Sequence, residues 1–375
     1  MRKETRIQFN AYLTRLGELY GVAPMEFATT KVDIEPAKAQ RLESKIQESA
    51  AFLKKINMVP VKAQTGEKIG LGIGTTIAST TDTTAKEREP IDPTQLSQQE
   101  YHCYQTNFDT AIRYAKLDAW AIFNDFQRRI RDAIIRRQAL DRIMIGWNGV
   151  KREKTSDRTK YPKLDDVNVG WLQKMRLEAP DHVLGSTTDK ATGKTTAQPI
   201  KVGPGGDYEN LDALVMQAVD EGIAEVYQDD TELVVICGRK LLADKYFPIV
   251  NQAQPNTEML AADMIISQKR LGGLPAVRVP SFPQNAMLVT RLDNLSIYWQ
   301  IDSRRRQVKD KPERDRIENY ESVNEDYLVE DYDCAALVEN IELVKARPEP
   351  KPDPNPGEKQ AIIPEETQTP PVNEG

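Results

Sequence analysis

The sequence predicts an α+β protein, and three observations carry that expectation. Helix-period apolar spacing fills most of the first half, short β-favouring runs alternate with helices in the second, and a glycine- and threonine-rich stretch between early helices alternates as a hairpin does. At 375 residues the chain can bury a substantial core and is expected to divide into about two or three units. A formal net charge of −6 with 29% charged residues implies a solvated, mildly acidic surface and argues against a dedicated nucleic-acid binder. Cys103, Cys237 and Cys334 form an odd, sparse set that fits a reducing compartment better than a disulfide framework. No stretch approaches the roughly 18 consecutive apolar residues of a membrane span, and MRKETRIQFN lacks a signal peptide's apolar run. A soluble chain with no membrane partner and no export address is expected.

Taken in order, RIQFNAYLTRLGELYG sets Ile7, Phe9, Tyr12, Leu13, Leu16, Leu19 and Tyr20 mostly at helical spacing, with Gly21 and Pro24 as a stop. After a polar joint from Thr29 to Pro36, a second helix is expected through Leu42, Ile46, Ala50 and Leu53, closed by Asn57 and Pro60. The soft joint would let the two helices separate. Next comes EKIGLGIGTTIASTTDTTAKEREP, followed by YHCYQTNFDTAIRY as the returning strand of a hairpin. From about Thr110 to Trp147 one long helix is expected, with Trp120, Phe123, Phe126, Ile130, Ile134, Leu140 and Met144 on its apolar face. Its other faces alternate Arg128, Arg129, Arg131, Arg136, Arg137 and Arg142 with Asp118, Asp125, Asp132 and Asp141, the composition of a solvated or partner-facing surface, and Gly146 and Gly149 end it.

Residues Gly185 to Gly206 read as an exposed loop or hairpin. YENLDALVMQAVDEGI follows as a helix burying Leu211, Leu214, Val215, Ala218 and Val219; ELVVICG is a short buried strand, and RKLLADKYFPIVN is the helix behind it. AVRVPSFPQNAMLVTRLDNLSIYWQ gives strands broken by proline and Asn/Asp turns, and NYESVNEDYLVEDYDCAALVENIELV gives at least two more. From Ala346 the proline- and glutamate-rich tail has almost no apolar content and is expected to be disordered.

Motifs that suggest an active site lack the context their chemistry needs. Gly70, Gly72 and Gly74 make G-x-G-x-G, but the dinucleotide fingerprint is G-x-G-x-x-G opening into a helix, and Thr75 and Thr76 favour β structure. Gly193-Lys194-Thr195 imitates the end of a P-loop, yet the required earlier glycine is Thr188 and no helix follows. His102 and His182 are the only histidines, too few for a conventional zinc set, so no metal or cofactor is assigned. Cys237 lacks a marked base and reads as core, and Asp165/Asp166 and Asp229/Asp230 do not identify an acid–base pair. Arg304, Arg305, Arg306, Lys309, Lys311, Arg314 and Arg316 could grip phosphates, but Asp302, Asp310, Glu313, Asp315 and Glu318 interleave with them. Charge pairing within or between subunits, with Arg304, Arg305 and Arg306 as the intersubunit candidates, fits that balance better.

A hairpin of about 45 residues cannot bury its own faces, since two strands alone are marginal in water, so it should gain stability by lying on another chain. Glycine there permits close backbone approach and threonine suits a surface partly wet and partly covered. The stretch therefore reads as an arm, the anatomy of an assembly subunit.

Six segments, MRKETRIQFNAYLTRLGELYG, GEKIGLGIGTTIASTTDT, FQRRIRDAIIRRQALDRIMIGWNGV, LVVICGRKLLADKYFPIVN, EMLAADMIISQKRLGGLPAVRVP and NYESVNEDYLVEDYDCAALVENI, together resemble the major capsid proteins of Peduovirus-type contractile-tailed phages, over nearly the whole chain to about Val344. The resemblance implies the HK97-like capsid fold. Residues 1–31 would be a scaffold-like segment removed by proteolysis, 32–60 the N-arm, 61–107 the E-loop, 108–225 the first part of the P domain with its spine helix, 226–300 the A domain, 301–345 the return strands of the P domain, and 346–375 the tail. It implies a non-enzymatic coat protein that closes with copies of itself, as pentamers and hexamers, into an icosahedral shell in the virion, assembled in the bacterial cytoplasm. A scaffolding protein, a prohead protease and a portal protein would be partners, and packaged DNA would be enclosed without specific binding. Gly70, Gly72, Gly74, Thr75 and Thr76 would make E-loop contacts between subunits, and the polar joint at Thr30, Lys31 and Val32 would be the processing region, because a cleavable bond must reach a protease site. Two alternatives stay open: a phosphate- or nucleotide-binding enzyme acting through Lys194, and a nucleic-acid binder acting through Arg304 to Arg316.

Overall fold

The computed structural model describes residues 1–68, 78–90, 99–120, 123, 125–189, 192, 194–251 and 269–344. Its first helix, α1 (Lys3–Tyr20), buries Phe9, Tyr12 and Leu16 at the expected spacing and ends at Gly21, whose φ of 68° is the left-handed cap that glycine adopts without strain. Pro24 is more than a stop. It takes the first turn of α2 (Pro24–Thr29), where its missing N–H costs nothing. The chain then forms β1 (Val32–Asp33), α3 (Pro36–Ser49) and β2 (Asn57–Val61). The second helix thus stops at Ser49, short of the expected Leu53, and Asn57 and Pro60 lie in a strand. That strand is the edge of its sheet, where proline is tolerated because no neighbour needs its N–H.

β3 (Thr65–Lys68) and β4 (Gln99–His102) pair antiparallel, Thr65 opposite His102, which is the base of the expected hairpin. The candidate arm residues Gly70, Gly72, Gly74, Thr75 and Thr76 lie outside the described residues, as does the tail from Ala346. β5 (Tyr104–Asn107) and β6 (Thr110–Arg113) follow, then α4 (Tyr114–Trp120) and α5 (Phe126–Asn148). The long helix expected from Thr110 therefore starts later and in two described pieces. Residues 110–113 pair with a strand more than 200 positions away, a tertiary bond that overrides local periodicity, and Asp125 takes an N-cap position with φ −100° and ψ 21°. Gly146 does not end α5 either; it lets the helix lie against Trp171.

The remaining elements are α6 (Trp171–Glu178), β7 (Val183–Leu184), β8 (Ser186–Thr188), β9 (Thr195–Ala197), β10 (Ile200–Val202), α7 (Leu211–Gly222), α8 (Glu225–Gln228), β11 (Val234–Cys237) and α9 (Arg239–Asn251). They continue with β12 (Arg270–Leu271), β13 (Leu274–Arg278), β14 (Met287–Thr290), β15 (Leu295–Gln300), β16 (Arg305–Lys311), β17 (Arg316–Val329), β18 (Ala335–Val338) and β19 (Ile341–Leu343). Two sheets dominate. In the seven-stranded sheet β17 is the axis: β16 pairs with residues 316–322, β15 with 325–329, and β6 and β5 with 316–319 and 322–325, while β1 and β2 close the edges. The six-stranded sheet runs β12-β13-β11-β14-β18-β7.

Period-two alternation places the cores. On β11, β14 and β18, Ile236, Leu288 and Leu337 join a cluster with Trp147, Trp171 and Phe52, while their neighbours Val235, Val289 and Ala336 join one with Leu214 and Leu241 from α7 and α9. The six-stranded sheet is therefore covered on both faces, and its short strands are nearly continuous apolar runs. A third cluster holds α1 against α4, α5, β16 and β17.

A Cβ at Gly146 would stand 2.2 Å from the Trp171 ring. Gly146→Ala is expected to lower stability by about 1–3 kcal/mol or more through overpacking, read as a fall in thermal midpoint; an unchanged midpoint would mean that α5 and α6 do not pack this closely.

Candidate functional site

At the crossing of α3, α5 and β17 a group of charged side chains is sealed from solvent. Glu43 occupies the apolar register of α3, between Ala39 and Ile46. Arg142 on α5 donates to both Glu43 oxygens, at 2.6 and 3.1 Å, and through Nε to Glu325 Oε2 at 2.8 Å. Arg304, one residue before β16, reaches Glu43 and Glu321. Gln138 Nε2 donates to Glu321 at 2.9 Å and the Tyr327 hydroxyl to Glu325 at 3.0 Å. Residues 321, 325 and 327 lie at even spacing on β17, so all three face the same side.

Three carboxylates here face two guanidiniums, and burial opposes every charge. For Glu43 the opposing pull of Arg142 and Arg304 outweighs burial and holds its carboxyl down at about 2. Glu321 is also lowered despite burial, by Arg304 and Arg306, whereas for Glu325 burial outweighs Arg142 and raises the carboxyl.

Arg142 had been read as part of a solvated or partner-facing helix surface; it is 0% exposed. The physical reason is register: it lies between Ala139 and Ile143 on the face that α3 and the sheet cover. Glu43 carried the same signal, a charge in an apolar helical register, and was not singled out. The candidates Arg304, Arg305 and Arg306 separate in the same way. Arg304 is consumed by Glu43 and Glu321, and Arg306 donates to Asn319 Oδ1 at 2.8 Å and to the Tyr12 hydroxyl at 3.2 Å, so of the two expected kinds of pairing, within and between subunits, these two make contacts within the chain. Arg305 points to the opposite face, half exposed, 2.8 Å from Asp33.

A groove of about 730 Å³ opens beside α5, between β5, β6 and the loop after α5. Thr106, Thr110, Gln138 and Asp166 are among its lining residues, and Thr106 Oγ1, Thr110 Oγ1, Gln138 Oε1 and Asp166 Oδ1 are buried with no hydrogen-bond partner among the described residues. Each can accept a hydrogen bond, so the groove suits a segment that brings donors. At the hairpin base Lys68 Nζ donates to Gln99 Oε1 at 2.9 Å and to the Val329 carbonyl at 3.1 Å, pinning that base to the end of β17. Thr30 and Lys31 are exposed between α2 and β1, while Val32 pairs with Arg306 at the sheet edge.

Among the described residues, those of the other motifs that imitate active sites make structural contacts. Thr195 opens β9, opposite Thr188 in a hairpin, so no helix follows Lys194 to receive a phosphate. His102 Nδ1 lies 2.6 Å from Thr65 Oγ1, and His182 Nδ1 lies 2.7 Å from the Gly222 carbonyl. Cys103, Cys237 and Cys334 are buried, and burial pushes their thiols up to about 12, 11 and 11, away from the thiolate a nucleophile requires.

With this geometry in place, comparison with known proteins is specific. The model of the family described as "Phage major capsid protein, P2 family" matches residues 8–341. The "Capsid proteins" of Escherichia phage P2 are 57% identical over 344 residues, covering 92% of this chain and 96% of that relative. The "Major capsid protein" of Serratia phage KSP20 is 38% identical over 352 residues, covering 93% and 99%. A chain of the satellite phage P4 procapsid that includes the size determination (Sid) protein is 54% identical, superposes with a TM-score of 0.74, and covers 92% of this chain and 99% of its own.

Removing Glu43's charge would leave Arg142 and Arg304 without their shared counter-charge. Glu43→Gln is expected to cost about 3–5 kcal/mol, and Glu325→Gln distinctly less, because burial already disfavours that carboxylate. Glu43's folded value of about 2 lies below its ordinary 4.5, so its stabilisation is complete above about pH 4.5 and is lost as pH falls toward 2. Denaturant titrations across that window check both statements; equal losses for the two variants would contradict the assignment.

Proposed function

Because the chain belongs to the P2 family of phage major capsid proteins and has their HK97-like fold, we propose that its copies close as pentamers and hexamers into an icosahedral head shell. The protein is a structural component of the virion shell and not an enzyme. Rings need a patch on one subunit that meets a different patch on the next, and such contacts close only if the rotation returns to its start. The buried acceptors beside α5, unpartnered among the described residues, carry this reading: a neighbour's extended segment would supply their donors. The segment with the matching character is the hairpin that leaves the body at Lys68 and returns at Gln99, with Gly70, Gly72, Gly74, Thr75 and Thr76 as its close-contact stretch.

In this reading residues 32–60 are the N-arm, 61–107 the E-loop, α5 the spine of the P domain, and the six-stranded sheet the centre of the A domain. That sheet also takes strands from 183–184 and 335–338, outside the 226–300 span first assigned to the A domain, while β15, inside that span, pairs in the seven-stranded sheet. A scaffolding protein, a prohead protease acting at Thr30–Val32 and a portal protein are the assembly partners, and assembly takes place in the host cytoplasm. Packaged DNA is enclosed without specific binding. The net charge of −6 and the burial of Arg304 and Arg306, which takes two cations of that run away from phosphates, support this.

Replacing residues 69–98 by a two-residue Asn-Gly turn, the natural closure for a short antiparallel hairpin, is expected to leave a folded subunit that forms no closed particles. Circular dichroism checks folding and negative-stain electron microscopy checks closure. Normal shells from the shortened chain would remove the arm from the assembly mechanism.

A further inference from the structure

The first helix looks separable in sequence, yet it is seated like a ligand. Phe9, Tyr12 and Leu16 of α1 are 4%, 7% and 6% exposed, in one buried cluster with Leu117, Ile130, Ile134, Val308 and Ile317 from α4, α5, β16 and β17. Polar clasps flank this stripe. Arg6 Nη1 donates to Asp310 Oδ2 at 2.8 Å, the Arg2 N–H to Asp118 Oδ1 at 3.0 Å, and Arg306 to the Tyr12 hydroxyl at 3.2 Å. Anchors at i, i+3 and i+7 laid into an apolar groove are how an amphipathic helix binds a separate partner. The covalent tie between this segment and the body runs through Thr30 and Lys31, which are exposed.

We propose that α4, α5, β16 and β17 form a helix-binding groove whose occupant is residues 1–29 of this chain, and that cutting the joint between Thr30 and Val32 leaves the segment bound. The cut changes no contact in the groove. It replaces an intramolecular equilibrium, with effective concentration on the millimolar order, by a bimolecular one. Proteolysis would therefore license release, while dissociation of α1 would be a separate, concentration-dependent step that uncovers the apolar floor. The groove accepts a helix that brings an arginine to Asp310, a backbone N–H to Asp118 and a Phe/Tyr/Leu stripe to its apolar floor. The biological use of this groove rests on processing at Thr30–Val32, but the groove itself does not.

The test inserts a site-specific protease sequence between Thr30 and Lys31 of the full chain, cuts it after folding, and follows both pieces by size exclusion with mass detection. Co-elution at micromolar concentration is expected, as is exchange of the bound segment for a fluorescent synthetic peptide of residues 1–22. Phe9→Ala with Leu16→Ala is expected to speed dissociation by roughly a hundredfold or more. Should that variant fold poorly, Arg6→Ala, which removes one exposed ion pair, is expected to speed it by up to about fivefold. Immediate separation of the cut pieces while the body keeps its circular dichroism, or dissociation unchanged by Arg6→Ala and by the double variant, would overturn the proposal. Because the cut is engineered, a failure of natural processing at this joint would leave the result intact, so the two readings fail separately.

Discussion

The buried meeting of Glu43, Arg142, Arg304, Glu321 and Glu325 is the constraint around which the rest is arranged. Taking five charges out of water is unfavourable unless each finds a partner in good geometry, so the group tolerates little displacement of any contributor. It joins a helix of the N-terminal region, the long helix and the central strand of the seven-stranded sheet, three elements from distant parts of the chain. With three carboxylates against two guanidiniums it also needs neutral donors, and Gln138 and Tyr327 provide them. Apolar contacts there would hold the elements together with freedom to slide. The ion group holds them in one register, which a subunit that meets many identical neighbours requires.

From that fixed crossing the assembly features project outward. Lys68 clamps the base of the β3–β4 hairpin to the end of β17, the strand that carries Glu321 and Glu325. The groove beside α5 is lined in part by Gln138, which touches the ion group through its amide nitrogen. A neighbour seated there would contact the crossing directly. Helix α1 covers an apolar surface through a third cluster that includes Ile130 and Ile134 of the same long helix. One helix thus serves a fixed interior, an open polar groove and a covered apolar face.

Much of this was legible before any coordinates. The α+β class, the stripe of α1, the buried side of α7, the strand ELVVIC and the hairpin base all followed from periodicity, because each depends on neighbours within a few residues. The false P-loop and the absent zinc set were equally readable, since those chemistries demand a local context that the chain lacks. The candidate site was less so. Arg142 is expected on a solvated or partner-facing surface and Arg304 in charge pairing within or between subunits, because charge suggests exposure, and the groove's unpartnered acceptors have no sequence signature.

Sequence alone determined the helical or extended state of the strongly periodic segments, such as α1, α7 and β11, and their apolar faces. Those properties arise from backbone preference and side-chain hydrophobicity over spans of a few residues. Only the tertiary structure decided that Thr110–Arg113 is strand and not the start of a helix, that Pro60 sits on a sheet edge, and that Glu43 meets Arg142 across 99 positions of chain. In each case the energy comes from a partner far away in sequence. A hydrogen-bonded neighbour strand or a buried counter-charge outweighs a local preference of under about 1 kcal/mol per residue, and no pattern within the segment itself records where that partner will be.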